Sequence, residues 1–99
     1  MLPEDVAHCF YRIAQEASEN VLRHAGAKNV SVSLIPEGDS AVFVFKDDGK
    51  GFDTGALKNE HLGMRGMRER VEMLDGEFSV KSTKKQGTEI TAKLFREGA

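Results

Sequence analysis

Asp47-Asp48-Gly49-Lys50-Gly51-Phe52 is the stretch on which the fold turns. An acid stands directly before two glycines spaced one residue apart, and residues 41–46 ahead of it (AVFVFK) are apolar and strand-like. A carboxylate at a strand end can accept a hydrogen bond from a ligand amine, and glycines beside it let a ligand approach the backbone. An Asp/Gly turn without a ligand has the same local signature. The surrounding pieces separate the two readings. Upstream, Arg12-Ile13-Ala14-Gln15-Glu16-Ala17-Ser18-Glu19-Asn20 lies in a helical pattern that ends in Arg23-His24-Ala25. Downstream, His61-Leu62-Gly63-Met64-Arg65-Gly66-Met67 gives a second glycine pair, and Gly87-Thr88 follows. None of the four pieces is specific alone; their order is.

The remaining periodicity predicts the elements. Pro3-Glu4-Asp5 reads as a helix start, with proline tolerated in the first turn and acids near the positive end of the macrodipole. Val6, Phe10, Ile13, Ala17 and Val21 recur at spacings of three or four, one face of a helix running to about His24, with Gly26 as its terminator. Residues 29–35 alternate Val30, Val32 and Leu34 with Ser31 and Ser33, the pattern of a half-buried strand. The turn residues 36–40 then join it to the strand at 41–46 as an antiparallel hairpin. Residues 47–62 show no firm period and read as loop, with 53–62 expected to act as a lid. Met67, Val71 and Leu74 predict a second helix over about 63–74, ended by Asp75-Gly76, and residues 77–83 and 88–95 read as another strand pair. This order predicts an α+β fold: a two-layer α/β sandwich with helices on one face of a mixed, mostly antiparallel sheet. The other face is expected to be solvated, which suits the serines, Lys81, Glu89 and Lys93.

Composition narrows the function classes. The 99 residues predict one domain, 1–99, with a single core. No stretch approaches the roughly 20 apolar residues that a bilayer requires, and no basic-then-apolar leader opens the chain, so a soluble domain without direct membrane contact is expected. A net charge of −2 argues against a nucleic-acid binder. Cys9 is the only cysteine, which excludes an internal disulfide or a cysteine-built zinc site and fits a reduced cytosolic setting.

At about 100° per residue, Glu16, Asn20 and Arg23 fall within about 60° of one another, a polar stripe beside the apolar arc. Such a stripe either runs to solvent or lines a cavity. With the acceptor carboxylate of Asp47 and its glycines in the same chain, the cavity reading is favoured. The amide oxygen of Asn20 is a hard, neutral donor suited to Mg²⁺. Arg23 and His24 stand one turn on, where cations either contact phosphates or complement the helix dipole. Gly63-Met64-Arg65-Gly66-Met67 precedes a helix, whose free amides suit phosphate oxygens, although no Gly-Lys-Ser/Thr makes it a Walker loop. Leu62, Met64 and Met67 either wall a base or are core. Asp48, between the acid and the first glycine, is expected to face solvent.

The set resembles the ATP-binding domain of a sensor histidine kinase, in the short nitrate-response-type variant of the Bergerat nucleotide-binding fold. The resemblance covers about residues 2–94. It implies that Glu16 and Asn20 form the asparagine box with Arg23 and His24 beside it. Asp47, Gly49 and Gly51, followed by Phe52, then form the first glycine box, Gly63 and Gly66 the second, and Gly87-Thr88 the last. It further implies ATP and Mg²⁺ as cofactors, Asn20 as the metal ligand, and Asp47 as acceptor for the adenine amine. Leu62, Met64, Arg65, Met67 and Thr88 would complete the pocket. Glu16 would be catalytic, holding a metal-bound water or polarising the attacking group; many of these kinases have Asn there.

A sensor kinase also needs a phosphoacceptor histidine on a dimerising helical hairpin. His8, His24 and His61 do not have the setting of one; His8 lacks an acid immediately after it. The chain is therefore expected to be an isolated cytoplasmic catalytic domain, monomeric and unable to autophosphorylate alone. Its partner would be the phosphoacceptor domain of the same kinase, with a response regulator reached indirectly and a parent protein that a membrane can anchor. The competing reading is a nucleotide-gated regulatory module of the same fold, of the anti-sigma kind, that binds without transfer.

Overall fold

The structure, a computed structural model, describes residues 2–49, 64–82 and 87–95, apart from the side chains of His24 and Ala25. Helix α1 spans Glu4–Asn20 and continues as a π-helical segment, Val21–Ala25. Strands β1 (Val30–Glu37) and β2 (Ser40–Asp47) follow, then helix α2 (Met64–Met73) and strands β3 (Glu77–Ser82) and β4 (Thr88–Phe95). Among the described residues the sheet order is β1-β2-β4-β3, and every pairing is antiparallel. The expected two-layer α+β sandwich is what the chain adopts.

Pro3 caps α1, and its carbonyl accepts the amide of Ala7 at 3.0 Å, so the missing proline N–H costs nothing. The helix buries Val6, Cys9, Phe10, Ile13 and Ala17, the face that the spacing predicts. Phe10 stacks on Phe43 of β2 with ring centroids 5.4 Å apart, which fixes α1 over the middle of the sheet. Gly26, left-handed, ends the helical run. The first hairpin closes through Gly38-Asp39, between the paired residues Glu37 and Ser40. Gly38 has φ 61° and Asp39 an ordinary negative φ, the pattern of a type II′ turn.

Helix α2 docks Met64, Met67 and Val71 into the same core, and the Arg68 guanidinium lies 5.1 Å from the Phe78 ring centroid. Its end is a Schellman motif: Asp75 N–H donates to Glu72 O and Gly76 N–H to Val71 O, both at 3.0 Å. The left-handed residue of that motif is Asp75, φ 57°, rather than the glycine. Gly76 has a different reason. A Cβ there would press on Leu94 Cδ2 and lie 2.5 Å from the Lys93 carbonyl oxygen.

One expectation is corrected. Strand β1 is exposed along its whole length instead of half-buried. Its register sets Val32 opposite Phe45 and Leu34 opposite Phe43, so these residues do point to the helix-bearing face. But α1 lies over β2 and β4, and α2 over β3 and β4, which leaves the edge strand uncovered by the described helices. Among the described residues no helix is long and apolar enough to cross a membrane.

Gly76→Ala is expected to destabilise the fold by about 1–3 kcal/mol, because backbone and a buried leucine must both shift. A urea midpoint equal to that of the parent chain would show that the helix–strand junction can give way freely.

Candidate functional site

The two ends of the sheet are not alike. At one end, Asp47 closes β2 directly opposite Thr88, the first residue of β4, and Thr88 pairs with Ser82, the last of β3. Buried Ser82 donates its hydroxyl proton to the Gly87 carbonyl at 2.9 Å and lies 2.9 Å from Thr88 Oγ1. A serine has one proton, so the Thr88 hydroxyl donates to Ser82 and keeps its own lone pairs as acceptors. Asp47 is half-buried, and its Oδ1 accepts the Gly49 amide at 2.8 Å. One carboxylate oxygen therefore shapes the turn. The other, on a residue directly across the sheet from Thr88, suits a ligand that donates, such as an amine.

Gly87 is what lets these strands meet. Its φ is 83°, and a Cβ would press on the Asp47 carbonyl oxygen while lying 3.0 Å from the Asp47 carbonyl carbon and 3.1 Å from Asp48 Cα. The glycine here is a requirement of close approach as well as of conformation.

Asp48 lies at the surface, as expected. Its side chain is exposed but not idle. Oδ1 accepts the Lys28 amide at 2.8 Å and the Asn29 amide at 2.9 Å, and Oδ2 accepts Asn29 Nδ2 at 2.8 Å. The bonds from Asn29, backbone first, hold the Asp48 carboxyl below its ordinary value of 3.8.

The second half of the site is a cleft of about 330 Å³ between the helices. Arg12, Gln15, Glu16 and Glu19 line it from α1, and Gly66, Met67 and Arg70 from α2. Another cleft, of about 680 Å³, brings Asp5 and His8 of α1 against Met73 and Leu74. The helices are thus antiparallel: the start of α2 lies by the last turns of α1, and its end by the start of α1. The last turns of α1 lead through residues 21–29 to the beginning of β1, where Val30 pairs with Asp47. The last turns of α1 and the first turn of α2 thus share the cleft, while Asp47 and Thr88 meet across the sheet.

Within the cleft, Glu16 is half-buried and Gly66 faces open space, since a Cβ there would meet nothing within 4 Å. Tight helix–sheet packing is not what Gly66 serves. The first turn of α2 carries no acid of its own to offset the positive end of the helix. Met64 and Met67 are buried in the core, and Met67 also lines the cleft. The Arg65 side chain is exposed and pairs with Glu69 at 3.0 Å. Arg23 is exposed; the π-helical geometry after Asn20 ends the simple 100° arithmetic, so its direction does not follow from the stripe. Asn20, Asp47 and Thr88 are not among the described residues that line the cleft. Gly51, Phe52, Leu62, Gly63, the side chain of His24 and the expected lid 53–62 lie outside the described residues.

Three contributors escaped the sequence reading. Arg12 and Arg70 bring cations to the cleft, and Glu19 a second carboxylate. The signal was there for α1: Arg12 with Glu16, and Gln15 with Glu19, are i,i+4 pairs on one face. Among the described residues, no group of three His, Cys, Asp or Glu side chains is placed to hold a metal by itself. The amide of Asn20 and the carboxylate of Glu16 are oxygen donors of the kind magnesium takes when phosphates and waters fill its other positions, so the donor chemistry fits that ion. Cys9 is no part of the site: it is core, and burial pushes its thiol above the ordinary value.

Comparison with known proteins is in keeping with this geometry. The profile of the family described as "Histidine kinase-, DNA gyrase B-, and HSP90-like ATPase" matches residues 5–98. The chain is 39% identical over 88 residues to the signal transduction histidine-protein kinase/phosphatase DegS of Brevibacillus brevis, covering 89% of this chain and 23% of that protein. It thus spans about a quarter of the length of this relative. A histidine kinase domain from the blue-light activated kinase of Erythrobacter litoralis superposes with a TM-score of 0.77 at 24% identity, over 95% of this chain and 46% of that one. The ATP binding domain of PrrB from Mycobacterium tuberculosis gives a TM-score of 0.74 at 19% identity, over 98% of this chain and 71% of its own. At these identities the structural likeness speaks for the fold.

Gly87→Ala is expected to destabilise the chain by about 1–3 kcal/mol through left-handed strain and the clash with the Asp47 carbonyl. Its largest amide NMR shifts should fall at residues 47–49. Unmoved resonances there would show that Gly87 does not support the Asp47 turn.

Proposed function

Because the chain belongs to the family of histidine kinase-, DNA gyrase B- and HSP90-like ATPases, we propose that it binds Mg·ATP and presents the γ-phosphate to a histidine on a separate helical domain of a two-component sensor kinase. The observation that supports this reading most is the carboxylate of Asp47. It stands at a strand end, with one oxygen tied to the Gly49 amide and the acceptor hydroxyl of Thr88 directly across the sheet. The adenine exocyclic amine is a donor that such a pair of acceptors would select. Guanine offers a carbonyl at that position, and a desolvated carboxylate facing a carbonyl costs several kcal/mol, on the order of a thousandfold in affinity.

The phosphate end falls to the helices. The first turn of α2 at Gly66 gives backbone amides without a side chain in the way, and Arg12 and Arg70 supply positive charge in the same cleft. Asn20 would be the protein ligand of a magnesium ion, which would supply positive charge to offset that of the phosphates. Glu16 lines the cleft, where it would either polarise the attacking imidazole or hold a water on the metal. The transfer breaks the bond between the γ-phosphorus and the β–γ bridging oxygen and forms one to an imidazole nitrogen, with ADP leaving. Little covalent chemistry is asked of the protein, so positioning and electrostatics carry the rate. The phosphoacceptor belongs to a dimerising hairpin of the same kinase in the cytoplasm, and a response regulator receives the phosphate afterwards.

Labelled ATP mixed with this chain and a purified phosphoacceptor hairpin tests the reading: phosphate on the hairpin histidine is expected. Binding without transfer would favour a nucleotide-gated module instead. In calorimetric titration with a non-hydrolysable ATP analogue, Asp47→Asn is expected to lower affinity by about tenfold or more, since the charge assistance is lost. A folded mutant with parental affinity would remove Asp47 from the pocket. Asn20→Ala should erase most of the difference between titrations in Mg²⁺ and in EDTA; if the full difference persists, Asn20 is not the ligand.

A further inference from the structure

The Asp47 carboxylate can choose a base only if the turn that carries it is held still, and the structure shows what holds it. Four hydrogen bonds join residue 48 to residues 28–29. Three are taken by the Asp48 side chain, at 2.8, 2.9 and 2.8 Å. The fourth runs the other way, from the Asp48 amide to the Asn29 carbonyl at 3.2 Å. Residues 28–29 end the short connection that leads from the π-helical segment into β1. Asp48 thus ties the β2 end to the chain that descends from the last turns of α1. From its other side, the Asp47–Asp48 backbone is backed by Gly87. Asp47 is caught between two fixed supports, with only its own bond to the Gly49 amide inside the turn.

We propose that Asp48, through its clamp on Lys28 and Asn29, is a positioning residue that fixes the Asp47 carboxylate in register with the end of α1 and so sets the preference for adenine. The clamp rests on the nucleotide reading given above. It acts on specificity rather than on overall stability because its bonds are exposed, where a hydrogen bond contributes little to folding but still defines a geometry. The three acceptor bonds form a fork: one oxygen takes two successive backbone amides, while the second takes the Asn29 side chain. An asparagine at 48 would keep the first of these functions through its Oδ1, and the Asn29 amide can rotate to match the new side chain. An alanine would keep none of them.

Calorimetric titration of the chain with non-hydrolysable ATP and GTP analogues, in Mg²⁺, provides the test. The parent chain is expected to prefer the ATP analogue. Asp48→Ala should lower affinity for the ATP analogue by about tenfold, with little change for the GTP analogue, so the preference falls by the same factor. Asp48→Asn should hold the preference within about threefold of the parent, and Asn29→Ala, which loses only the Oδ2 partner, should lie between. A folded Asp48→Ala that keeps the parental preference overturns the clamp, as does an Asp48→Asn that falls as far as alanine. If Asp48→Ala does not fold, Asn29→Ala decides, and parental preference there overturns the proposal. A parent chain without any adenine preference brings down the nucleotide reading and the clamp together, whereas a preference lost from no variant brings down the clamp alone.

Discussion

The pairing of β2 with β4 is the contact on which the rest of the molecule depends. Each of these strands is also half of a hairpin, with β1 and β3 respectively, so their eight-residue register joins two local units into one sheet. That register sets Phe43 against Ala92 and Phe45 against Ile90 beneath the helices, and it ends on Asp47 against Thr88. A slip of one residue would turn every core side chain to the other face and would separate the acid from the hydroxyl. Core and candidate site are thus specified by one alignment. Gly87 sits at the last step of that alignment, where only the absence of a side chain lets the turn before β4 rest on the Asp47 carbonyl.

Period and burial agree wherever a helix covers the strand, and they part where none does. The alternation in β1 was legible, and Val32 and Leu34 do point to the helix-bearing face. Alternation reports which way a side chain points, however, and not whether anything lies over it. The helices are wide enough to cover three strands, and β1 is the fourth. The edge position also explains why Pro36 is tolerated inside a strand, since an edge leaves one row of backbone donors without a ladder partner.

Much of the candidate site was legible because its parts are tied to local rules. An acid at a strand end, glycines after it, and a polar stripe beside an apolar helical arc can each be read within a few residues. What was not legible depends on contacts across the chain. Asp48 looks like a solvated turn residue until Lys28 and Asn29, about twenty positions upstream, bring their amides to it. The π-helical segment at Val21–Ala25 has no sequence signature and re-aims whatever follows Asn20. At the end of α2 the pair Asp75-Gly76 was legible as a terminator, but not that Asp75 takes the left-handed turn and Gly76 answers to Leu94. Only the far strand could have said so.

The charges in the helix cleft follow from the same division between local and distant. Glu16 and Glu19 line the cleft from one face of α1, and each is half-buried. Arg12 from the same face and Arg70 from the facing helix bring two positive charges to the same cleft. That balance has a chemical consequence. On the proposed reading, a polyphosphate entering the cleft would compete with the carboxylates for the arginines, and a divalent cation arriving with it would replace the positive charge that the acids lose. A nucleotide and its metal would then suit this cleft better together than either does alone. The first turn of α2, with Gly66 open to space and no acid of its own, would on that reading give the phosphates a place that the carboxylates do not already command.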